Sequence, residues 1–279
     1  MNIGSKNKGF SLTEVLLATG ILAVGLVMIA MVFPVGIKLT SQSAERTIAA
    51  VAFDEALAKI QLYGLPKFAN WRPVADPNTE CADYYELALV KYPALAANQA
   101  QLSKFQDEFR YPSVSTDEES RYCWSALCRR IEADRVQITV FVSRMTGAGV
   151  KYYDMDAVIN NDNRQPVPVK LETALINARN LRIKLVENEA WGKIGGSYMP
   201  VAYRFLPEGS KIIDDATGGI YYVIKSEIDS SDWRIITLSE DWRGLTADRI
   251  WVVPPGVGSS RYPCVAIFQR ELSFPGLSQ

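Results

Sequence analysis

The apolar and charged positions divide the chain into three stretches. From Val15 to Ile37, 23 residues pass without a charge. A helix needs about 20 apolar residues to cross a bilayer, so this run is long enough to span with some tilt. Beyond it the apolar residues narrow to one face: Phe53, Leu57 and Ile60 stand at i, i+4 and i+7, with Glu45, Arg46, Asp54, Glu55 and Lys59 spread over the polar faces. The pattern predicts one continuous helix from Phe10 to about Tyr63, about 80 Å long at 1.5 Å per residue, which only an elongated molecule can hold. Pro34 and Gly36 interrupt the run, and a kink or local melting is expected near Ala30 to Pro34. Gly64-Leu65-Pro66 stops the helix, and a linker from Asn70 to Asn78 follows.

The third stretch changes period. Pro93 to Phe109 carries Leu95, Leu102, Phe105 and Phe109 at helical spacing and predicts one short helix. In Arg135 to Met145, Val136, Ile138, Val140 and Val142 alternate with Gln137, Thr139 and Ser143, the pattern of a half-buried strand pairing with the segment around Cys123 to Cys128. Further strands are expected at Val167 to Leu171, Leu181 to Val186, Ile220 to Lys225, Arg234 to Leu238, Ile250 to Val253 and Cys264 to Arg270. The fold class is therefore α+β, a long N-terminal helix followed by a mostly antiparallel β head. Its expected parts are a basic leader (1–9), a transmembrane helix half (10–38), an amphipathic helix half (39–65) and an extracytoplasmic head (66–279).

One charge stands out against this pattern. Glu14 sits five residues into the expected span, where a carboxylate is costly unless something cationic neutralises it. Lys6 and Lys8, before it, hold the start of the span in the cytoplasm and place the remainder outside.

The series Lys8-Gly9-Phe10-Ser11-Leu12-Thr13-Glu14-Val15 with the apolar run resembles the type IV prepilin and pseudopilin family. The resemblance covers about the first 55 residues. It implies that a prepilin peptidase cuts between Gly9 and Phe10 and methylates the new Phe10 amine. It further implies that this amine neutralises Glu14 of a subunit already in a filament, an ion pair worth much more in low dielectric than at a surface. A stretch around Pro34 that unwinds when subunits pack is also implied. The other expected partners are pilin-like subunits contacted through the helix, the inner-membrane assembly platform and membrane lipid. The implied location is the inner membrane, single-pass, and then a filament. Glu14 to Ala18, Ile21 to Gly25 and the length of 279 residues resemble a minor rather than a major subunit.

Other readings of the first segment explain less. A secretory signal has an apolar region of about 7–15 residues, shorter than this one, although Ser41-Gln42-Ser43-Ala44 resembles a cleavage site. An unprocessed anchor leaves Glu14 and Gly9-Phe10 as coincidences. A lipoprotein is excluded because no cysteine lies near the span.

Composition narrows the chemistry. The net charge of −1, from 30 basic and 31 acidic residues, argues against a general nucleic-acid surface. Arg129 and Arg130 are expected on opposite faces of a strand. With no histidine, His-based triads and zinc sites are excluded. Gly192 to Ser197 lacks the spacing of a phosphate loop. No cofactor or catalytic site is expected. The four cysteines, Cys81, Cys123, Cys128 and Cys264, permit disulfides in an extracytoplasmic head or stand as buried thiols, and a direct Cys123 to Cys128 bond is disfavoured by their odd separation. Asp214 to Gly219 has hairpin-turn chemistry. It also carries oxygen ligands of the calcium type, as do Asp154, Asp156, Asn160, Asn161 and Asp162, but neither fits an EF-hand loop, and turn chemistry explains both. Asp-Trp-Arg occurs at Asp232 to Arg234 and again at Asp241 to Arg243, with Trp251 nearby, and is read as cross-strand packing before a recognition surface.

The functional expectation is a structural subunit, a minor pilin or pseudopilin of a type IV pilus or type II secretion filament. The alternative is a membrane-tethered extracytoplasmic binding module. An anchored hydrolase using Asp214 with Asp215, or Asp154 with Asp156, ranks third.

Overall fold

The computed structural model describes residues 9–63, 81–83, 107–112, 121–131, 135–145, 150–153, 159–160, 165–183, 193–194, 197–198, 206–228, 234–244, 246–256 and 262–273. The chain divides into two units, Met1–Ile48 and Ala49–Gln279.

In the first unit the described residues are almost wholly helical. Helix α1 (Leu12–Tyr63) begins here and continues without a break across Pro34 and Gly36. The expected local melting near Ala30 to Pro34 is therefore not the state of this structure. Proline forfeits one backbone hydrogen bond and costs about 3 kcal/mol. Melting would strand several N–H and C=O groups along an apolar surface with nothing to pair them, which costs more. The hydroxyls on this helix fold back on it: Thr19 Oγ1 donates to the Val15 and Leu16 carbonyls, both at 3.0 Å, and Thr40 Oγ1 to the Gly36 carbonyl at 2.9 Å. No side chain polar group is left facing an apolar surroundings at these positions.

The second unit holds the end of α1 and the head. Its strands are β1 (Cys81–Asp83), β2 (Arg110–Tyr111), β3 (Tyr122–Arg130), β4 (Arg135–Arg144), β5 (Tyr152–Tyr153), β6 (Ile159–Asn160), β7 (Val169–Asn177), β8 (Asn180–Ile183), β9 (Lys193–Ile194), β10 (Ser197–Tyr198), β11 (Lys211–Asp214), β12 (Ile220–Ile228), β13 (Arg234–Leu238), β14 (Arg249–Val252) and β15 (Cys264–Ser273). Every pairing among them is antiparallel. One sheet has the order β1-β3-β4-β15, with β2 also on β3. Six other strands close a barrel in the order β11-β12-β13-β8-β7-β14. The expected α+β class is what the structure has, and the barrel is the part that the sequence did not announce.

Closure follows from two long strands that each serve two partners. Val169 to Glu172 of β7 pair with β14, and Thr173 to Asn177 pair with β8. Likewise Ile220 to Tyr222 of β12 pair with β11, and Val223 to Ile228 pair with β13. The register of β12 shifts between Val223 and Lys225, and that of β7 between Leu175 and Asn177. Such irregularities bend a strand and increase its twist, so the sheet turns a corner on each long strand and meets itself. The interior is apolar, with Leu171, Leu181, Ile212, Val223, Ile236 and Ile250 buried and Tyr221 stacked on Trp242 at 4.6 Å.

The barrel strands lie in sequence between β4 and β15, which are neighbours in the other sheet. That sheet is covered on both faces. On one side Ala49, Ala52, Ala56, Leu57 and Ile60 of α1 pack against Trp124, Ala126, Val136, Ile138, Val140 and Val142. Phe53 stacks on Phe268 at 4.7 Å. On the other side Leu127, Phe141 and Cys264 meet Ile213, Trp251 and Val253 from the barrel. The expectation of a half-buried β4 is corrected accordingly. Val136, Ile138, Val140 and Val142 do share one face, but Thr139, Phe141 and Ser143 on the other face are buried too.

Polar contacts tie barrel to sheet. Arg129 Nη1 donates to the Ala216 carbonyl at 2.6 Å, Gln269 Nε2 to the Gly218 carbonyl at 2.7 Å and Lys211 Nζ to the Val265 carbonyl at 3.0 Å. The Tyr262 hydroxyl accepts from the Lys211 N–H and donates to the Lys211 carbonyl. Gly218 sits at φ +70°, and a Cβ added there would lie 2.4 Å from Gln137 Oε1. Gly209, at φ +85°, has open space around it. Gly218→Ala therefore adds to left-handed strain the displacement of the Gln137 amide, which accepts from Arg129 Nε, and we expect it to lower stability by about 1–3 kcal/mol. Gly209→Ala carries strain alone and should cost about 1 kcal/mol. Urea unfolding of the detergent-solubilised full chain checks this ranking, and equal midpoints for the two variants would refute it.

Candidate functional site

The N-terminal site is built by a reciprocal cap. Gly9 and Phe10 lie outside the helix and are exposed, Phe10 to 87%. Ser11 stands at the N-cap of α1, with Glu14 three residues on. The Ser11 N–H donates to Glu14 Oε2 at 2.9 Å, and the Glu14 N–H donates to Ser11 Oγ at 3.3 Å. This S-x-x-E arrangement pairs the Ser11 N–H and adds a second acceptor for the Glu14 N–H, which also reaches the Ser11 carbonyl at 3.1 Å. The carboxylate also sits in the first turn, where the helix dipole favours a negative charge. Glu14 thus has a local partner that the sequence reading overlooked, although serine followed three places later by glutamate was plain in it. The partner is a neutral amide, so the charge is stabilised without being neutralised.

From Leu12 to Ala44 every side chain is exposed, including Leu16, Ile21, Leu26, Met31 and Phe33. A helix apolar on all sides is stable only when lipid or other helices surround it. α1 is long and apolar enough to cross a membrane. Lys6 and Lys8 lie outside the described residues.

Of the acids singled out in the head, the described Asp214 and Asp215 are turn and core groups. Asp214 Oδ1 accepts from the Ala216 N–H, and Oδ2 accepts from the Thr217 N–H and hydroxyl, all within the β11–β12 turn. Asp215 Oδ1 accepts from Trp251 Nε1 at 2.7 Å. Both are buried, Asp214 held by its turn and Asp215 by the Trp251 indole. Asp154, Asp156, Asn161 and Asp162 lie outside the described residues, as do Asp232 and Trp233, and only the backbone of Asn160 is described. Among the described residues no group of three His, Cys, Asp or Glu side chains is placed to hold a metal ion.

The second Asp-Trp-Arg is dismantled by the fold. Asp241 pairs with Arg179 at 2.6 Å, Trp242 enters the barrel core and Arg243 pairs with Glu240 at 2.7 Å. Arg234, of the first, is buried with Nε on Ser226 Oγ. Trp251 faces the sheet, with Lys170 Nζ 5.9 Å from its ring centre. Trp242, Arg234 and Trp251 pack the head, while Asp241 and Arg243 are exposed and each is paired with a neighbouring charge. Arg129 and Arg130 are split as expected, Arg129 holding the barrel turn and Arg130 exposed. Phe109 packs on Trp124 at 4.5 Å, a core role for that aromatic position. Most of the short helix expected before it, with Leu95, Leu102 and Phe105, lies outside the described residues.

Cys123, Cys128 and Cys264 are buried. Cys128 packs on the helix side of the sheet and Cys264 on the barrel side. Cys123, five positions from Cys128 on the same strand, points the opposite way. Cys123 and Cys264 are free thiols. Burial pushes the Cys264 thiol up to about 11, with Lys211 pulling the other way, and pushes Cys123 higher still. Both are protonated and inert near neutral pH. Cys81 stands opposite Arg129 in register, and its side chain lies outside the described residues.

No curated protein and no solved structure matches this chain. Residues 4–30 match the family model described as the prokaryotic N-terminal methylation motif, a stretch that contains Gly9, Phe10, the Ser11–Glu14 cap and the start of the apolar helix, and the match supports a type IV pilin-like or pseudopilin subunit.

Proposed function

We propose that the chain is a minor pilin or pseudopilin, cut by a prepilin peptidase between Gly9 and Phe10 and N-methylated on Phe10. The mature subunit stands in the inner membrane through residues 10–38, with its head outside, and then joins a type IV pilus or a type II secretion filament. The observation that carries this reading is the matched motif ending in an all-round apolar helix, with a single acid in its first turn. Gly9 and Phe10 lie in exposed backbone beyond the helix cap, the form a peptidase can thread. Among the described residues the Glu14 carboxylate meets the Ser11 N–H and no cation, and the Phe10 amine of an incoming subunit supplies the countercharge. A prepilin-type chain acts structurally, so the head is a body for contact with other subunits rather than a catalytic domain. Pro34 and Gly36 mark where the helix yields when neighbouring helices pack around it.

Mass spectrometry of the membrane-extracted protein should find a chain beginning at N-methylated Phe10. A chain beginning at Met1 would leave an unprocessed anchor.

Glu14→Gln separates cap from charge. Glutamine closes the same cap, so the head and the helix start should be unchanged. Loss of one partner of a desolvated ion pair costs about 3–5 kcal/mol, which lowers incorporation into filaments by about two orders of magnitude or more. Quantitative immunoblotting of sheared filament fractions against total membrane protein reads this out. Wild-type incorporation by Glu14→Gln would refute the ion pair, and absence of the unaltered chain from the filament fraction would favour the tethered binding module instead.

A further inference from the structure

Two thiols face each other across an intervening strand. The register sets Cys123 on β3 opposite Ser143 on β4, and Ser143 opposite Cys264 on β15. Residues directly opposite in a ladder share a face, so the three form one row. Cys264 lies in the seam where the sheet meets Ile213, Trp251 and Val253 of the barrel. Cys123 and Cys264 are 0% and 6% exposed.

Adjacent strands are about 4.8 Å apart, so two steps put the cysteine Cα atoms about 10 Å from each other. A disulfide requires about 7 Å or less. While β4 stays in place these thiols cannot join. Yet Ser143 is the next-to-last residue of β4 and Cys264 the first of β15. They stand where the chain leaves the sheet for the barrel and where it returns. A barrel moving off the sheet would pull on both ends at once, uncovering the row and drawing out the end of β4 that separates the thiols.

We propose that the seam between barrel and sheet is a redox-sensitive closure: docked, it keeps Cys123 and Cys264 as separate thiols; opened before a disulfide oxidant, it lets them form a disulfide that displaces the end of β4 and holds the barrel off the sheet. The oxidant is a small-molecule disulfide such as oxidised glutathione. One cysteine thiolate attacks it and releases one small thiol. The second attacks the mixed disulfide and releases the other. Two cysteine thiols and one small disulfide become one protein disulfide and two small thiols, with the two cysteine protons carried away on them. Burial keeps both thiols protonated in the docked state, and opening removes that protection. The physiological setting rests on the proposed export of the head to an oxidising compartment.

The test uses the detergent-solubilised full chain, with maleimide labelling and non-reducing peptide mass mapping in oxidised glutathione. In the wild type, Cys123 and Cys264 should label more than about tenfold slower than in denaturant, as expected for groups reached only through local opening. The double variant Arg129→Ala with Gln269→Ala, which removes two ties to the barrel turn, should label several-fold faster at both sites by the same reasoning and gain the Cys123–Cys264 disulfide. Cys123→Ser in that background should abolish the disulfide. Wild-type protein in urea below its unfolding midpoint serves where the double variant fails to fold, and there the two cysteines should gain reactivity together. Equal protection in variant and wild type, independent labelling of the two sites in urea, or the disulfide forming in wild type at its full rate without any rise in labelling would each overturn the closure. The N-terminal mass from the same sample judges the prepilin reading separately, since protected thiols on an unprocessed chain would remove the export setting and leave the closure standing.

Discussion

The head depends on one ladder, the pairing of β4 with β15. These strands run side by side from Cys264 against Ser143 to Ser273 against Arg135, although the whole barrel lies between them in sequence. The pairing brings Phe268 under Phe53 of the helix and Gln269 against the barrel turn, so the last strand touches both covering layers. Without β15 the sheet would lose one edge, the helix part of its floor and the barrel one of its anchors. Contacts this distant in sequence are slow to form, because the intervening chain must be ordered or looped out before they repay its entropy.

What could be read from the residues was what their neighbours decide. Arg234 to Leu238 was assigned its observed limits because Ile236 and Leu238 face the core while Ile235 and Thr237 face outward, a clean alternation. The turn at Asp214 to Gly219 was legible because aspartate, threonine and glycine set its bonds within six residues. β11 was missed for the opposite reason. In Lys211-Ile212-Ile213-Asp214 the first isoleucine fills the barrel and the second fills the seam, so both faces are buried and no period survives. The second cover over β4 was likewise invisible, since it comes from residues about a hundred positions away.

At the N-terminus the position was the reverse. The motif, the uncharged run and the odd acid were all legible, because a membrane imposes its requirement residue by residue. The structure added the local half of the account. Glu14 belongs first to its own helix, as the third member of a cap begun by Ser11, and any role toward a neighbour is played by a group already held in place. A side chain already held by a short-range bond loses less conformational freedom on meeting a partner than a free one would.

The Arg144 amide donates to the Pro263 carbonyl, so the points of departure from and return to the sheet lie within one hydrogen bond of each other. To the helix–sheet body, the barrel is then a passenger on a loop whose two ends already touch. A short turn joining Arg144 to Pro263 would span the same gap. A lineage could gain, lose or exchange that passenger while the register beneath it stayed the same, and the surface the head offers to its surroundings could change while the helix and the sheet it packs on did not.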